Sequence, residues 1–256
     1  MSMPAPHHAA LPRRHRAYLI EAQCEFLRML REPAFCIPVL IFPAMFYLLF
    51  GVLLNHGNAA AAQYLLATYG VFGMMGAAMF GFGVTIATDR ERGYLRLRRA
   101  LPTPTGAPLL AKMAMAMLFA ALISLLLAAL AAAFGGVRLP AAQWAGLFAV
   151  NVGGVLPFAA IGLYAGSLLG ANSAPVVLNA LYLPMAFLSG LWLPLSMLPD
   201  WLAGLAPVWP AYHLSQLALK VVGHDAGAPL WQHLAVLALV AAAGFVLARR
   251  RLEAAE

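Results

Sequence analysis

The side chains with the greatest capacity for chemistry lie in one short charged segment. Only 10% of the chain is charged. Acidic and basic side chains at high local density can form charge-assisted hydrogen bonds with a complementary surface. The segment is therefore a candidate binding surface, and the elements on either side decide what it can bind. Its seven charged residues fall within eleven consecutive positions: Asp89, Arg90, Glu91, Arg92, Arg96, Arg98 and Arg99.

Catalytic and metal-binding patterns are weak in this sequence. The stretch GAPLLAKM, residues 106–113, has a Gly and a Lys at the spacing of a phosphate-binding loop. It fails as such a loop because Ala111 replaces the second Gly and Met113 replaces the Ser or Thr that would hold Mg²⁺. We therefore predict no catalytic residue and no metal ligand. The histidines of the C-terminal part also lack the spacing of metal ligands on one helix: His213, His224 and His233.

Composition indicates a membrane protein. The chain is 63% hydrophobic and has a mean hydropathy of +0.83, whereas about 25% of the residues in a soluble domain are charged. Runs rich in Leu and Ala can satisfy their backbone in lipid only as helices. We therefore predict an all-α polytopic protein with six transmembrane helices, each of about 20 residues. The apolar stretches lie near residues 34–54, 64–87, 107–134, 143–169, 174–197 and 230–248.

The basic residues predict the orientation of these spans. Fourteen of the sixteen Lys and Arg lie before the first span, around the second connection or after the sixth span, and only Arg138 and Lys220 lie on the other side. By the positive-inside rule, both termini and the charged segment are cytoplasmic. The net charge of +7 is then explained by insertion and by anionic lipid, so we predict no nucleic-acid partner.

Two segments outside the spans have amphipathic character. Residues 189–229 combine prolines, which break helices, with three tryptophans and Tyr212, whose side chains prefer the headgroup level. We predict short helices that dip partly into the outer leaflet. The stretch RAYLIEAQCEFLRMLREP before the first span predicts an interfacial amphipathic helix. Its apolar face comprises Leu19, Ile20, Gln23, Phe26, Leu27 and Leu30, and its polar face comprises Glu21, Glu25, Arg28 and Glu32.

Polar groups in the interiors of the predicted spans are few and neutral, and the charged residues Asp89 and Lys112 lie at span ends. Asn151 and Asn179 are candidates to line a transport pathway, with a hydrogen bond between helices as the alternative for each. A gradient-driven carrier needs an ionisable or coordinating site within the membrane, so energy for transport would enter from outside it. Gly162, Gly166 and Gly170 recur at four-residue spacing, which predicts close helix packing.

Two segments resemble one family, the membrane-spanning permease subunits of ABC-2 type exporters. The stretch DRERGYLRLRRALPTP, residues 89–104, resembles the charged segment after their second span, with alternating acid and base, a Gly, a leucine-bearing helix and a Pro. The stretch SGLWLPLSMLPDWLAGLAPVWPAY, residues 189–212, resembles their outer segment after the fifth span. With six spans and an interfacial helix, the resemblance covers nearly the whole chain.

The resemblance implies half of an export pathway for a lipophilic or amphipathic compound such as a drug, lipid or glycolipid. Two permeases, identical or paired with a homologue, would sit in the bacterial inner membrane on two separate ATPase subunits. Those subunits would bind ATP and Mg²⁺, so this chain would be no enzyme and would hold no cofactor. Residues 88–106 would contact the ATPase, and the matching positions are Arg90, Glu91, Arg92, Gly93, Leu95 and Leu97.

The arrangement of apolar and basic residues in the charged segment favours docking of a soluble partner. If residues 94–101 are helical, an apolar stripe of Tyr94, Leu97 and Leu101 lies beside a basic stripe. Tyr94 and Arg96 stand where many relatives have a small hydroxyl residue and a carboxylate. A basic loop that only fixes topology is the alternative, but it would need no acidic residues.

Three regions follow from this interpretation. Residues 1–33 form a cytoplasmic tail and the interfacial helix, residues 34–248 form the transmembrane domain, and residues 249–256 form a second cytoplasmic tail.

Two other functional classes of membrane protein remain open. A membrane enzyme acting on lipids would need paired carboxylates or a catalytic His near the surface, and a gradient-driven carrier would need charged spans.

Overall fold

The computed structural model describes residues 14–94 and 107–254. Every regular element in these ranges is helical, which confirms the all-α prediction. Short helical turns at Leu195–Met197 and Ala206–Val208 flank a four-residue helix, Asp200–Ala203. In chain order the helices are α1 (Arg14–Leu30), α2 (Pro33–Phe46, continued by a π-helical stretch Tyr47–Leu53), α3 (Ala59–Glu91), α4 (Ala107–Ala133), α5 (Ala141–Gly153), α6 (Val155–Leu168), α7 (Ala174–Leu188), α8 (Asp200–Ala203), α9 (Pro210–Val222) and α10 (Leu230–Ala254).

Five helical segments within the described residues are long and apolar enough to cross a membrane. The predicted fifth span contains only α7, whose 15 residues extend about 22 Å at 1.5 Å per residue. This is shorter than a hydrocarbon core of ~30 Å. The structure therefore confirms five of the six predicted spans by length, and a crossing by α7 stays a prediction. The five segments are Pro33–Leu53, Ala59–Glu91, Pro108–Ala133, Ala141–Leu168 and Leu230–Leu252.

Helix α3 is the centre of the bundle. Its 33 residues extend about 50 Å, and 89% of its most apolar window is buried. It packs against α2, α4, α6, α7 and α9. A helix surrounded in this way positions the side chains at its two ends relative to most of the other helices.

Close packing between α3 and α6 depends on two of the glycines that the sequence singled out. A β-carbon at Gly162 would lie 2.4 Å from the carbonyl oxygen of Met79, and one at Gly166 would lie 2.4 Å from that of Gly83. The small-residue spacing therefore brings two backbones together, as predicted. Gly170 lies beyond the end of α6, where a β-carbon would meet the carboxylate of Glu91.

Helix α1 ends before Pro33, as predicted, and exposes much of its predicted apolar face. Leu19 and Ile20 are 68% and 52% exposed, which suits a helix whose apolar side lies against lipid. The opposite side packs on the bundle through Met29 and Glu25, both buried. Glu25, which was assigned to the polar face, is therefore buried rather than exposed, because Lys112 of α4 covers its side chain.

The segment after α7 packs on the end of the bundle where α3 begins. The Trp192 ring lies 5.7 Å from that of Phe46 and 5.8 Å from that of Phe72, centroid to centroid. The Tyr69 hydroxyl donates to the Trp192 carbonyl at 3.2 Å. The short helices predicted for this region are present in the structure, and their depth in the outer leaflet stays a prediction.

Candidate functional site

Three consecutive residues at the end of α3 contact four other parts of the fold. Successive side chains on a helix are about 100° apart, at 3.6 residues per turn. Asp89, Arg90 and Glu91 therefore point in different directions, toward α1 and α4, toward α6, and toward the turn before α7 respectively. The predicted binding segment begins where α3 is joined to its neighbours.

Asp89 belongs to a charge cluster formed by Glu25, Arg28, Asp89 and Lys112. The Arg28 guanidinium donates from Nη1 to Asp89 Oδ1 at 3.1 Å, and the Lys112 ammonium lies 3.0 Å from Asp89 Oδ2. Lys112 also donates to Glu25. Arg28 Nη1 lies 3.8 Å from Glu25 Oε2. Two carboxylates and two cations from α1, α3 and α4 therefore form one neutral group.

Three of the four residues in the charge cluster are buried, so the distances between its charges decide whether it is stable. Glu25, Asp89 and Lys112 are 3%, 1% and 1% exposed. Removing each ion from water costs several kcal/mol, and only close partners of opposite charge offset this cost. The side chain of Arg28 is 38% exposed and marks the solvent side of the cluster. These contacts hold the C-terminal end of α1 and the N-terminal end of α4 against the C-terminal end of α3.

Arg90 caps the C-terminal end of α6. Its guanidinium donates to the carbonyl of Ser167 and, at 2.7 Å, to that of Leu169. Carbonyls in the last turn of a helix lack partners within the helix, and a cation there also interacts favourably with the helix dipole. Arg90 thus connects the end of α3 to the end of α6.

Replacing Arg90 by lysine should weaken this connection. A guanidinium presents several N–H donors in a planar fork, whereas an ammonium is a compact charge that cannot reproduce that geometry. We expect an apparent loss of stability of about 1 kcal/mol, measured by thermal unfolding in detergent. The same change at Arg251, which is exposed on α10, is the matched control and should leave the melting temperature unchanged. Equal melting of the two variants would contradict the capping role.

Glu91, Arg92 and Gly93 begin the exposed part of the segment. Glu91 Oε1 accepts a hydrogen bond from the Ala171 backbone N–H at 2.9 Å. Arg92 is exposed. Gly93 has φ +72°, a left-handed conformation that glycine adopts readily and that commonly ends a helix. The other two predicted coupling residues, Leu95 and Leu97, lie outside the described residues.

The two asparagines proposed for a pathway are in different environments. Asn151 is buried, and its Nδ2 donates to Ser124 Oγ at 3.1 Å. It therefore makes the hydrogen bond between helices that was the alternative for it. Asn179 is exposed on α7.

One polar pair was missed by the sequence reasoning. His213 of α9 and His233 of α10 are both buried, with 3.0 Å between their Nδ1 atoms. His213 Nε2 also lies 2.9 Å from the carbonyl oxygen of Pro207. Their separation along the chain gives no signal for the contact, since it arises only when α9 packs on α10.

The fold and the site together define a polytopic helical membrane protein. At one end of its bundle, charged side chains connect α3 to the neighbouring helices. The model of the ABC-2 type transporter family matches residues 17–222. Since this range is most of the chain, the protein belongs to the ABC-2 type transporter family. It is thus a transport permease rather than a catalytic enzyme.

A curated relative agrees with this assignment. The chain is 28% identical over 219 residues to a protein of Bacillus subtilis (strain 168) named "Putative transport permease YvfS". The match covers 83% of this chain and 87% of the relative. The family implies an ABC ATPase as a partner, generally in a dimer.

Proposed function

We propose that this chain is the permease subunit of an ATP-driven exporter and that the segment beginning at Arg90 receives the movement of a separate ATPase subunit. Two permeases, identical or homologous, would enclose the pathway and sit on two ATPases in the bacterial inner membrane. ATP and Mg²⁺ would be bound by those ATPases. The cargo would be lipophilic or amphipathic, because the walls of the spans are largely apolar.

The connection of Asp89, Arg90 and Glu91 to four other elements is the observation that supports this proposal. A protein that displaces the exposed residues after Glu91 also moves the end of α3. The charge cluster then acts on α1 and α4, and Arg90 acts on α6. A local contact can therefore be transmitted to several helices, since the connections made by Asp89 and Arg90 are short and partly or fully buried.

The orientation of the chain is part of the proposal. The positive-inside rule favours a cytoplasmic location for the end that carries Arg28, Arg90 and Lys112. The contact of Glu91 with the backbone of Ala171 places the turn between α6 and α7 at that same end. The exposed residues Glu91 and Arg92 would then face the compartment that contains ATP.

Reversing the charge of Arg92 tests the docking surface directly. We expect Arg92→Glu to weaken copurification of the ATPase from host membranes about ten-fold or more, because a complementary acidic contact becomes repulsive. ATP hydrolysis in the material purified through a tag on the permease is the measurement. Arg251→Glu makes the same charge change on α10 and should retain the ATPase. Full retention by Arg92→Glu would refute docking at this residue.

Two substitutions of Glu91 test whether its hydrogen bond to the Ala171 backbone is needed for coupling. Glu91→Arg loses the hydrogen bond to Ala171, whereas Glu91→Gln keeps an oxygen that can accept it. We expect Glu91→Arg to lose ATP-dependent transport and Glu91→Gln to retain it, with both proteins present in the membrane at the same level. Wild-type transport and ATPase assembly in Glu91→Arg would exclude the assigned role.

A further inference from the structure

A cavity of about 280 Å³ lies among α3, α4 and α5, away from the charge cluster. Its walls are mostly apolar, with Leu66 from α3 and two aromatic side chains, Trp144 and Phe148, from successive turns of α5. Leu125, at its edge, is 58% exposed, so the cavity opens on the outer surface of the bundle. Within a bilayer this opening faces the hydrocarbon region.

Two polar residues, Ser124 and Asn151, line this cavity, and the oxygen of Asn151, unpaired among the described residues, distinguishes it from an ordinary gap between helices. Asn151 lies ten residues from the start of α5, or about 15 Å along the axis, which is near the middle of a ~30 Å core. Its side chain lines the cavity and is 4% exposed as a residue. Asn151 Oδ1 accepts no hydrogen bond from any residue in the described ranges.

The amide of Asn151 is held in place from two sides. Nδ2 donates to Ser124 Oγ at 3.1 Å, and Gly70 leaves room for the amide, since a β-carbon there would lie 2.6 Å from Nδ2. A buried acceptor without a donor costs about 1–3 kcal/mol. No water is available in the hydrocarbon region to satisfy it. A ligand that carries a donor would remove this cost.

We propose that this cavity binds a compact lipophilic molecule with one hydrogen-bond donor, of the alkylphenol class, that enters from the bilayer. The hydroxyl donates to Asn151 Oδ1, and the apolar body packs between Trp144 and Phe148. The volume is close to the lower end of the range for small-molecule pockets, about 300–1,000 Å³, which favours a ligand of one ring. Binding at this site requires no ATPase, so its test is independent of the proposed coupling.

Trp144 provides an internal probe for the experiment. The full-length chain in detergent micelles is titrated with a brominated alkylphenol and, in parallel, with its methyl ether. The concentration of each compound is expressed as its mole fraction in the micelle. Bromine quenches tryptophan fluorescence at contact distance, and the contribution of Trp144 is the difference from Trp144→Phe. We expect saturable quenching, with half-quenching by the phenol at about ten-fold lower mole fraction than by the ether.

Three variants define the site. Asn151→Leu should abolish the preference for the phenol and leave the affinity for the ether unchanged. Ala128→Phe adds a ring to the cavity wall and should prevent saturable quenching by both compounds. Ala129→Phe adds the same ring at the neighbouring exposed position, and it should behave as wild type.

Two results would overturn the proposal. Equal half-quenching by the phenol and the ether in the wild type would exclude a donor bond to Asn151. Quenching that is linear in mole fraction, or that persists in Ala128→Phe, would exclude a discrete site. Because Ala128→Phe keeps the bond between Asn151 and Ser124, the test stands even if Asn151→Leu fails to fold.

Discussion

Replacing Lys112 by methionine should lower the free energy of unfolding by about 3–5 kcal/mol. The ammonium of Lys112 lies between the carboxylates of Glu25 and Asp89, and all three residues are almost fully buried. Without it, two buried negative charges would depend on Arg28 alone. Removing one partner from a buried ion pair is costly because the remaining charge keeps its desolvation penalty.

Unfolding in detergent, followed by circular dichroism, measures this loss. Lys220→Met is the matched control because Lys220 pairs with Asp225 at a partly exposed site. The hydrogen bond from Lys220 holds the pKa of the Asp225 carboxyl below its usual value, yet a partly exposed pair contributes only about 0–1 kcal/mol. Equal, small losses in the two lysine variants would show that the charge cluster is not sealed from water.

A double variant separates charge pairing from simple loss of packing. Lys112→Met combined with Glu25→Met removes one cation and one anion, and the pair of Arg28 with Asp89 remains. We expect the double variant to be more stable than Lys112→Met alone, since no excess charge stays buried. If the double variant instead loses more free energy of unfolding than Lys112→Met, by the amount that Glu25→Met loses alone, the two side chains act independently.

Adding a single methyl group at Gly166 should also disrupt the bundle, because the obstacle is backbone. A β-carbon there would lie 2.4 Å from the carbonyl oxygen of Gly83, and α3 and α6 would have to separate. Overpacking of a core costs about 1–3 kcal/mol and occasionally more. We expect Gly166→Ala to lie at the upper end of this range, since no flexible side chain can move aside.

Gly153→Ala is the matched control for Gly166→Ala. It lies in α5 of the same predicted span, and nothing lies within 4 Å of a β-carbon built there. Alanine favours a helix over glycine by about 1 kcal/mol, so Gly153→Ala should be neutral or slightly stabilising. The melting temperatures of the two variants in detergent give the comparison. If Gly166→Ala melts with the wild type, α3 and α6 cannot be in backbone contact.

Separation of α3 from α6 should have a second consequence at the end of these helices. Arg90 bonds the backbone at the end of α6, and Glu91 bonds the turn that follows it. A shift between the two helices would strain both connections. If the proposed coupling is correct, a Gly166 variant that still folds should transport less per ATP hydrolysed than the wild type.

Much of the fold could be predicted because each signal is local in the chain. A span is a sum of about twenty residue transfer energies, so its presence does not depend on neighbouring helices. The spacing of Gly162 and Gly166 indicated a face for close approach in the same way. The 15-residue α7 was the exception, because Leu191, Leu193 and Leu195, which follow it in the chain, extended the apolar stretch beyond the helix.

The charge cluster could not be predicted from the sequence. Arg28 and Asp89 are 61 residues apart, and Glu25 and Lys112 are 87 residues apart. A helical period shows which residues share a face but does not show which neighbour covers that face. The polar face of α1 could therefore be predicted to include Glu25, but its pairing with Lys112 could not.

The sequence by itself determined that this protein is all-helical and apolar enough to span a membrane, because each apolar span is set by its own residues, and two of its segments resembled the permeases of the ABC-2 type family. Only the tertiary structure decided where Asp89, Arg90 and Glu91 point and that Asn151 bonds Ser124. These contacts depend on the rotation and depth of each helix in the bundle. Packing between distant segments sets both quantities, and a pattern along one segment does not show which neighbour covers each of its faces.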